Sequence, residues 1–509
     1  MKKLKIAGFI LAAMELILSI AVICDISETK MVPMRYIVMI GVLLFVIFMI
    51  GIFFTKRKNK AFRITSIVIS SLMIIVLCIA MYYLRITNKT IDKVTGVKTE
   101  VDEINVYVGV NDEVESINQA VDKNYVFGTV ATDDQKHINE TISKIEKDVG
   151  KSIETKQFES IFELIGSFEN SEINSIITNK GTILALESSE DYEDYSQNLK
   201  VIMEESFEEE IETDDVSTGD KDHFCMYFSG IDTFGAVTQK SRSDVNIIAV
   251  VNNETKEILL VSTPRDYYVK LSSGQMDKLT HAGIYGIDCS MDTLELLYDV
   301  DLKYYVRLNF SGFQNIINQL GGIDVTSEYA FVSETQEGTY SYVQGVNHLN
   351  GEEALGFARA RHAFKDGDRQ RGRNQMQVIK ATIEKLESSE MLKNYANVMD
   401  QMEGSFQTDM EKDTVGYLVQ STIDDGSWTV LTYSVGGSDS SKKCYSLGAN
   451  AYVMMPNNDD IDYANELIKR VLANEKVTQD EINVYIEEKD AEDVINKDLQ
   501  EQDLNDEGE

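Results

Sequence analysis

The chain has 509 residues, with 84 acids against 48 bases and a formal charge of −36. That balance excludes a general nucleic-acid binder, which needs clustered positive charge against the phosphate backbone. Five scattered cysteines, with no CxxC and no ligand-like His/Cys spacing, support neither a zinc site nor a disulfide framework. The length leaves room for a membrane region and two soluble domains, each with its own core.

Three apolar runs open the chain, at about 6–23, 37–54 and 64–84, each close to the length of a bilayer-crossing helix. The first contains Glu15, but it lacks a small-residue cleavage site and two further spans follow at once, so it reads as retained. Lys2, Lys3 and Lys5 precede the first run, and Lys56, Arg57, Lys58, Lys60 and Arg63 fill the loop between the second and third. The loop between the first two holds only Lys30 and Arg35. The positive-inside rule then puts the N-terminus in the cytoplasm and everything after residue 84 outside. Residues 1–90 are expected to form three transmembrane helices.

Residues 91–203 mix short strands (INVYVGV, YVFGTVA, TILALE) with helical stretches (DQKHINETISKIEKDV, QFESIFELIGSFEN), the pattern of a small α/β accessory domain. No nucleophile, metal cluster or glycine loop stands out there, which favours a spacer or interaction module. Residues 204–222 are acidic with almost no apolar periodicity and read as a solvated linker. From 223 to 474 apolar, β-branched and aromatic runs (FCMYFSGID, VNIIAVVNN, EILLVSTPRD, KYYVRLNF) alternate with helical patterns, which predicts a sheet covered by helices on both faces. Residues 475–509, rich in Asp, Glu, Asn and Gln, are expected to be a disordered tail.

Against the acidic background stands ARARHAFKDGDRQRGRNQM, with Arg359, Arg361, Lys365, Arg369, Arg371 and Arg373 opposed only by Asp366 and Asp368. Planar guanidinium donors fit two phosphate oxygens at once and do not deprotonate. The Arg-x-Arg spacing suggests a strand, followed by a turn at Gly367 or Gly372 into a helix, MQVIKATIEKL. Polar residues at strand ends are where ligands bind in such folds. Asp232 follows one predicted strand, Arg242 and Asp244 (in SRSD) precede the next, and Arg265 and Asp266 (in TPRD) end a third. Taken singly, each has a bland explanation as a turn former or a local ion pair. Together, two carboxylates can hold Mg²⁺ through oxygen, and arginines with Gln375 beyond them can neutralise phosphate. That is equipment for phosphoryl transfer, and with no GxxxxGK[ST] it is not that of a P-loop enzyme.

The strings RSDVNIIAVVN, ILLVSTPRDYYV, KLTHAGIYG, YYVRLNFSGFQNIINQLGGIDV, GVNHLNGEEALGFARARH and DGDRQRGRNQ run in order over about 224–383. In them the chain resembles the LytR–CpsA–Psr family of bacterial cell-surface glycopolymer ligases. The three-span N-terminus with an extra domain resembles the capsule-associated branch, although Met376 stands where a second glutamine is expected. The resemblance implies a mixed central sheet flanked by helices on both faces, with a tunnel for a polyprenyl chain. It also implies transfer of a polysaccharide with one phosphate from a polyprenyl-pyrophosphate carrier to peptidoglycan, at the outer face of a bacterial cell membrane. Carried over by position, Asp232 and Asp244 would hold Mg²⁺. Arg242, Arg265, Arg359, Arg361 and Arg371 would clamp the pyrophosphate with support from Gln375, and Asp244 or Asp232 would serve as base. Capsule-synthesis proteins are candidate partners, and no nucleic acid is expected. Two other readings use the same residues: a sensor of lipid-linked precursor, and a hydrolase that splits the pyrophosphate with water.

Overall fold

The computed structural model describes residues 2–211, 221–231, 236–335, 338–361, 363–364, 367–386, 398–399, 402, 404–489 and 491. Helices α1 (Lys2–Thr29), α2 (Met34–Lys56) and α3 (Lys60–Val94) are long and apolar enough to cross a membrane. Glu15, the charge that weakens the first run, is buried between helices and accepts a hydrogen bond from Ser70 Oγ of α3 at 2.6 Å. The third helix continues past its apolar run to Val94, so the accessory unit begins later than residue 91.

That unit comprises β1 (Thr99–Gly109), α4 (Ile117–Asp122), β2 (Val126–Val130), α5 (Gln135–Val149), β3 (Glu154–Phe158), α6 (Ile161–Glu169), β4 (Ser175–Asn179), α7 (Lys180–Leu186) and β5 (Leu199–Glu210). Its sheet runs β3-β2-β4-β1-β5. β5 pairs antiparallel with β1 from Thr99 opposite Glu210 to Gly109 opposite Leu199. Residues 204–210, expected within an acidic linker, are therefore strand. Glu204, Ser206, Glu208 and Glu210 face solvent, while Glu205 and Glu209 on the other face pair with Lys144 and Lys240 and flank Phe207. A tally of acids hides that two-residue alternation. Of the remaining residues of the expected linker, 212–220 lie outside the described residues.

The second unit follows in chain order. It begins with β6 (His223–Ile231), β7 (Ser243–Asn252), β8 (Glu257–Thr263), the hairpin β9 (Tyr268–Lys270) and β10 (Met276–Lys278), α8 (Leu279–Tyr285) and α9 (Ile287–Tyr298). Then come β11 (Leu302–Asn309), α10 (Phe310–Gln319), β12 (Ile323–Ser327), β13 (Phe331–Thr335), β14 (Gly338–Tyr342), β15 (Gly345–Leu349), α11 (Gly351–Arg359) and α12 (Asp368–Leu386). It closes with β16 (Phe406–Thr408), α13 (Lys412–Asp425), β17 (Thr429–Ser434), β18 (Gly437–Cys444), β19 (Ala449–Pro456) and α14 (Asn458–Leu472). The central sheet has the order β16-β11-β6-β7-β8-β17, with β6 parallel to β11, β8 parallel to β17 and β7 antiparallel to both its neighbours. Leu294 of α9 and Leu467 and Ile468 of α14 pack on one face, and Met376 and Ile379 of α12 pack on the other. The sheet is thus mixed and flanked on both faces. The carboxyl ends of β6, β8, β11 and β17 share one edge with the start of β7.

A further expected boundary moves. Helix 479–489 lies inside the stretch read as a disordered tail. Val477 and Ile482 are buried, and the Tyr485 ring stacks on Tyr463 with centroids 3.6 Å apart. These few apolar residues recur at helical spacing within an acidic segment, so composition outweighed periodicity in the sequence. The accessory unit is also tied into the second one. Val101 N–H donates to Thr238 O at 2.8 Å and Lys240 N–H donates to Val101 O at 2.9 Å, so β1 continues onto the segment that enters β7. Beneath the sheet–membrane junction, α13 packs its Gly416 against the backbone of Lys30 between α1 and α2, Asp424 pairs with Arg35, and Lys412 reaches Asp92 of α3 at 2.7 Å.

Near this junction Asp409 is buried and accepts the Tyr305 N–H at 2.8 Å. Burial pushes its carboxyl up to about 7. An unfolded aspartate titrates at about 4, so between these values the folded chain keeps a proton that the unfolded chain has lost. This contribution to stability is complete below about pH 4 and is lost as pH rises through about 7. Asp409→Asn keeps the accepting oxygen and removes the titration. It is expected to stabilise the chain by about 2 kcal/mol at pH 8 and to give no gain at pH 4. Thermal unfolding at the two pH values checks this.

Candidate active site

The sheet edge that collects the strand ends also collects the guanidiniums. A cavity of about 300 Å³ is lined by Arg242, Asp244, Arg265, Arg359, Arg361, Arg371 and Gln375. Seven of the eight residues that the resemblance carries over to the metal and the pyrophosphate therefore face one space. The eighth, Asp232, lies outside the described residues, as do Lys365 and Asp366.

Each side chain is placed by a local device. The entry of β7 is fixed by a buried hydroxyl network in which Tyr227 and Ser229 meet Ser243 Oγ at 2.9 and 2.8 Å. Gly283 of α8 allows that backbone to come close, since a Cβ there would lie 2.4 Å from Ser241 O. Arg242 and Asp244 follow from this entry on either side of Ser243. Arg265 extends from the end of β8, with Nη1 3.0 Å from Asp244 Oδ2 and Nε 3.5 Å from Asp266 Oδ2. Lys278 holds the other oxygen of Asp266 at 3.1 Å.

The Arg-x-Arg pair is not a strand. Arg359 is the last residue of α11 and Arg361 follows it. Asn350 and Glu353 form a capping box that starts this helix, a signal that outranks the two-residue spacing. Arg359 lies over the Phe310 ring, 5.0 Å from its centroid. The next helix begins at Asp368, so Gly372 is helical and the turn is at Gly367 alone, with φ +48°. A Cβ on Gly372 would lie 2.8 Å from Ser262 Oγ, which shows how closely α12 lies on the sheet. Gln370 and Asn374 then tie α12 to α11 through a hydrogen bond of 3.0 Å between them and one of 3.2 Å to Phe357 O.

The electrostatics follow from the crowding of charge. Burial alone would raise the Asp244 carboxyl, but Arg265, Arg242 and Arg371 reverse this and hold it well below the usual carboxylate range. Asp266 is likewise held low, burial being outweighed by Arg265, Lys278 and Arg371. Both acids are thus fixed as anions inside a cationic cradle. Among the described residues, the second oxygen of Asp244 accepts a long hydrogen bond, 3.4 Å, from Thr280 Oγ1. An anionic oxygen so weakly engaged on the cavity wall suits a hard, oxygen-seeking cation.

Sequence reading missed two sets of lining residues. Phe228, Val245, Leu308, Phe310, Phe313, Leu355, Val378 and Ile379 make one wall apolar. Glu187, Glu193 and Asp194, from the loop between α7 and β5, add carboxylates from the accessory unit. No signal in that loop marks it, because its neighbours in space are remote in sequence.

The chain is 33% identical over 205 residues to the polyisoprenyl-teichoic acid–peptidoglycan teichoic acid transferase TagT of Bacillus subtilis, covering 38% of this chain and 63% of that protein. It is 35% identical over 202 residues to the like-named TagU of Enterococcus faecalis, covering 39% of this chain and 65% of that protein. The chain thus spans a little under two thirds of the length of these relatives. Among solved structures, B. subtilis TagV is 27% identical, with 51% of this chain and 100% of that chain covered and a TM-score of 0.42. A structure of TagT bound to LI-WTA is 26% identical, with 50% and 94% covered and a TM-score of 0.40. Residues 186–466 match the LytR_cpsA_psr family, a span that takes in the whole cavity, and the chain belongs to that family.

Proposed function

We propose that the protein is a membrane-anchored, Mg²⁺-dependent phosphotransferase that moves a glycopolymer with one phosphate from a polyprenyl-pyrophosphate carrier to a hydroxyl of peptidoglycan outside the cell membrane. The observation that carries this reading is the union of five arginines and an ionised aspartate with an apolar wall in one cavity. Helix α10 supports the lipid part: Phe310 and Phe313 line the cavity, and at its far end Ile316 and Leu320 pack with Ile86 of α3. An apolar path thus leads from the arginines to a helix able to cross a membrane.

In the reaction, the acceptor oxygen bonds to the sugar-side phosphorus and the bridging P–O bond breaks. Polyprenyl phosphate leaves with the electron pair. Arg242, Arg265, Arg359, Arg361 and Arg371 bind the pyrophosphate oxygens, and charge developing on the leaving phosphate meets these fixed guanidiniums without reorganisation. Asp244, with Asp232 by resemblance, would hold the Mg²⁺, which supplies further charge neutralisation. The hydroxyl proton needs an acceptor beside the pyrophosphate, and Asp244, held as an anion by Arg265, Arg242 and Arg371, or Asp232 by resemblance, would take it. Attachment of capsule rather than another wall polymer follows from the branch resemblance alone.

The test combines the chain in lipid nanodiscs with Mg²⁺, a polyprenyl-pyrophosphate oligosaccharide and peptidoglycan fragments, read by mass spectrometry. Sugar phosphate is expected on the peptidoglycan, with none from Asp244→Ala. Lipid cleavage without transfer would make it a hydrolase, and tight lipid binding with neither product would make it a sensor.

A further inference from the structure

Three carboxylates stand where an anion-binding cavity gains nothing from negative charge. Glu187, Glu193 and Asp194 share its lining with the five arginines, and they come from the accessory unit rather than from the central sheet. Their loop is firmly seated. Tyr195 is buried, and the Phe162, Tyr192 and Tyr195 rings pack in series with centroids 5.3 and 5.7 Å apart. Glu187 accepts the Ser196 N–H at 2.8 Å, which closes the loop on itself. Asp194 takes the turn between these anchors in the left-handed region, φ +58°, a conformation that aspartate tolerates.

The loop marks one end of the cavity. Ser188 Oγ lies 3.3 Å from His281 Nε2 of α8, and the preceding residue, Thr280, donates to Asp244. The apolar wall belongs to other elements. It runs through Phe313 of α10 to Ile316 and Leu320, which meet Ile86 of α3. A pyrophosphate held by the arginines thus has its lipid on the α10 side and its saccharide on the loop side. Ionised carboxylates accept hydrogen bonds and donate none, so whatever they engage brings O–H or N–H groups. Their charge also repels a further anion placed against them. The bland explanation is an acidic rim on a chain of formal charge −36. Such a rim would only weaken the binding of an anionic substrate, yet a separately folded sheet carries these acids onto the wall that holds Arg242 and Arg359.

We infer that the 187–194 loop reads the first saccharide of the donor. Glu193 and Asp194 accept hydroxyls of an uncharged sugar next to the pyrophosphate and disfavour a sugar that carries a carboxylate there. Glu187 is a positioning residue that keeps the loop closed. This rests on the transferase reading for the identity of the lipid-linked donor. The arginines grip what all such donors share, and the accessory unit selects among the sugars attached to it.

The experiment measures binding of three polyprenyl-pyrophosphate lipids to the full chain in nanodiscs: one without sugar, one bearing a neutral hexose and one bearing the matching hexuronic acid. Wild type is expected to bind the neutral-sugar lipid about tenfold tighter than either of the others, the effect of a hydrogen bond to a charged acceptor. Glu193→Gln combined with Asp194→Asn, both at exposed positions, should bring the neutral and uronic-acid affinities to within about threefold of each other. Glu193→Ala should lose most of the gain that the neutral sugar gives over the sugarless lipid. Each ratio is read within one variant, so a general rise in pyrophosphate affinity on removing negative charge cancels. An unchanged neutral-to-uronic ratio in the double variant, or a wild type that binds all three lipids alike, would overturn the inference. So would a change confined to the KM for peptidoglycan fragments, which would assign the loop to the acceptor. The expected ratios in a chain that transfers nothing to peptidoglycan would sink the transferase reading and leave the role of the loop standing.

Discussion

Arg265→Lys is expected to lower turnover of the polyprenyl-pyrophosphate donor by a factor of about 10²–10³, although it keeps the charge. Arg265 touches Asp244 with one nitrogen and Asp266 with another while lining the cavity, a fork that a single ammonium cannot reproduce. The same residue is the leading guanidinium among those that hold Asp244 low. In Arg265→Ala the carboxyl of Asp244 should therefore move up towards its ordinary range. Its anionic form is then lost on acidification at a higher pH than in wild type, so the acid limb of the residual activity shifts upward. A pH–rate profile of wild type and both variants reads the two effects together. An unchanged acid limb in Arg265→Ala would mean that Asp244 is not needed as an anion.

How much of this was legible before folding depends on the length scale of each signal. The strands behind FCMYFSGI, VNIIAVV and EILLVST were legible because a buried sheet demands continuous apolar runs, and the polar residues at their ends marked the edge where Arg242, Asp244 and Arg265 converge. The arginine stretch was legible as charge but not as shape. Arg359 and Arg361 belong to a helix end, and Arg369 and Arg373 turn away from Arg371 because α12 starts at Asp368. The acids of 204–210 and 475–489 read as solvated because composition averages over the alternation of β5 and the few apolar anchors, Val477, Ile482 and Tyr485. Contacts across units left no local trace at all. Glu187 meets the cavity, and β1 meets the entry of β7, only after two separately encoded sheets have docked.

That docking is the place where one substitution should have the largest effect on stability. Glu100 of β1 accepts from Arg307 Nη2 of β11 at 3.0 Å, with both side chains at most 3% exposed. Glu100 also accepts the N–H of Ile287 at the start of α9. Arg307 Nε and Nη1 are buried without an acceptor among the described residues, so Glu100 is the main compensation for this guanidinium. A buried pair adds little when exchanged whole for apolar groups, but removing one member strands the other charge at a cost of about 3–5 kcal/mol. Glu100→Ala is thus expected to lower the melting temperature by roughly 10 °C, whereas the double change Glu100→Met with Arg307→Met should recover most of the loss. Because β1 bridges to Thr238 and Lys240 just ahead of Arg242, the single variant should also weaken donor binding, and the double variant should restore it if the seating of β1 is what matters. Equal melting of all three proteins would show that the accessory sheet is a passive appendage. A loss in Glu100→Ala that the double change reverses would show that it supports the strand entry on which Arg242 and Asp244 stand.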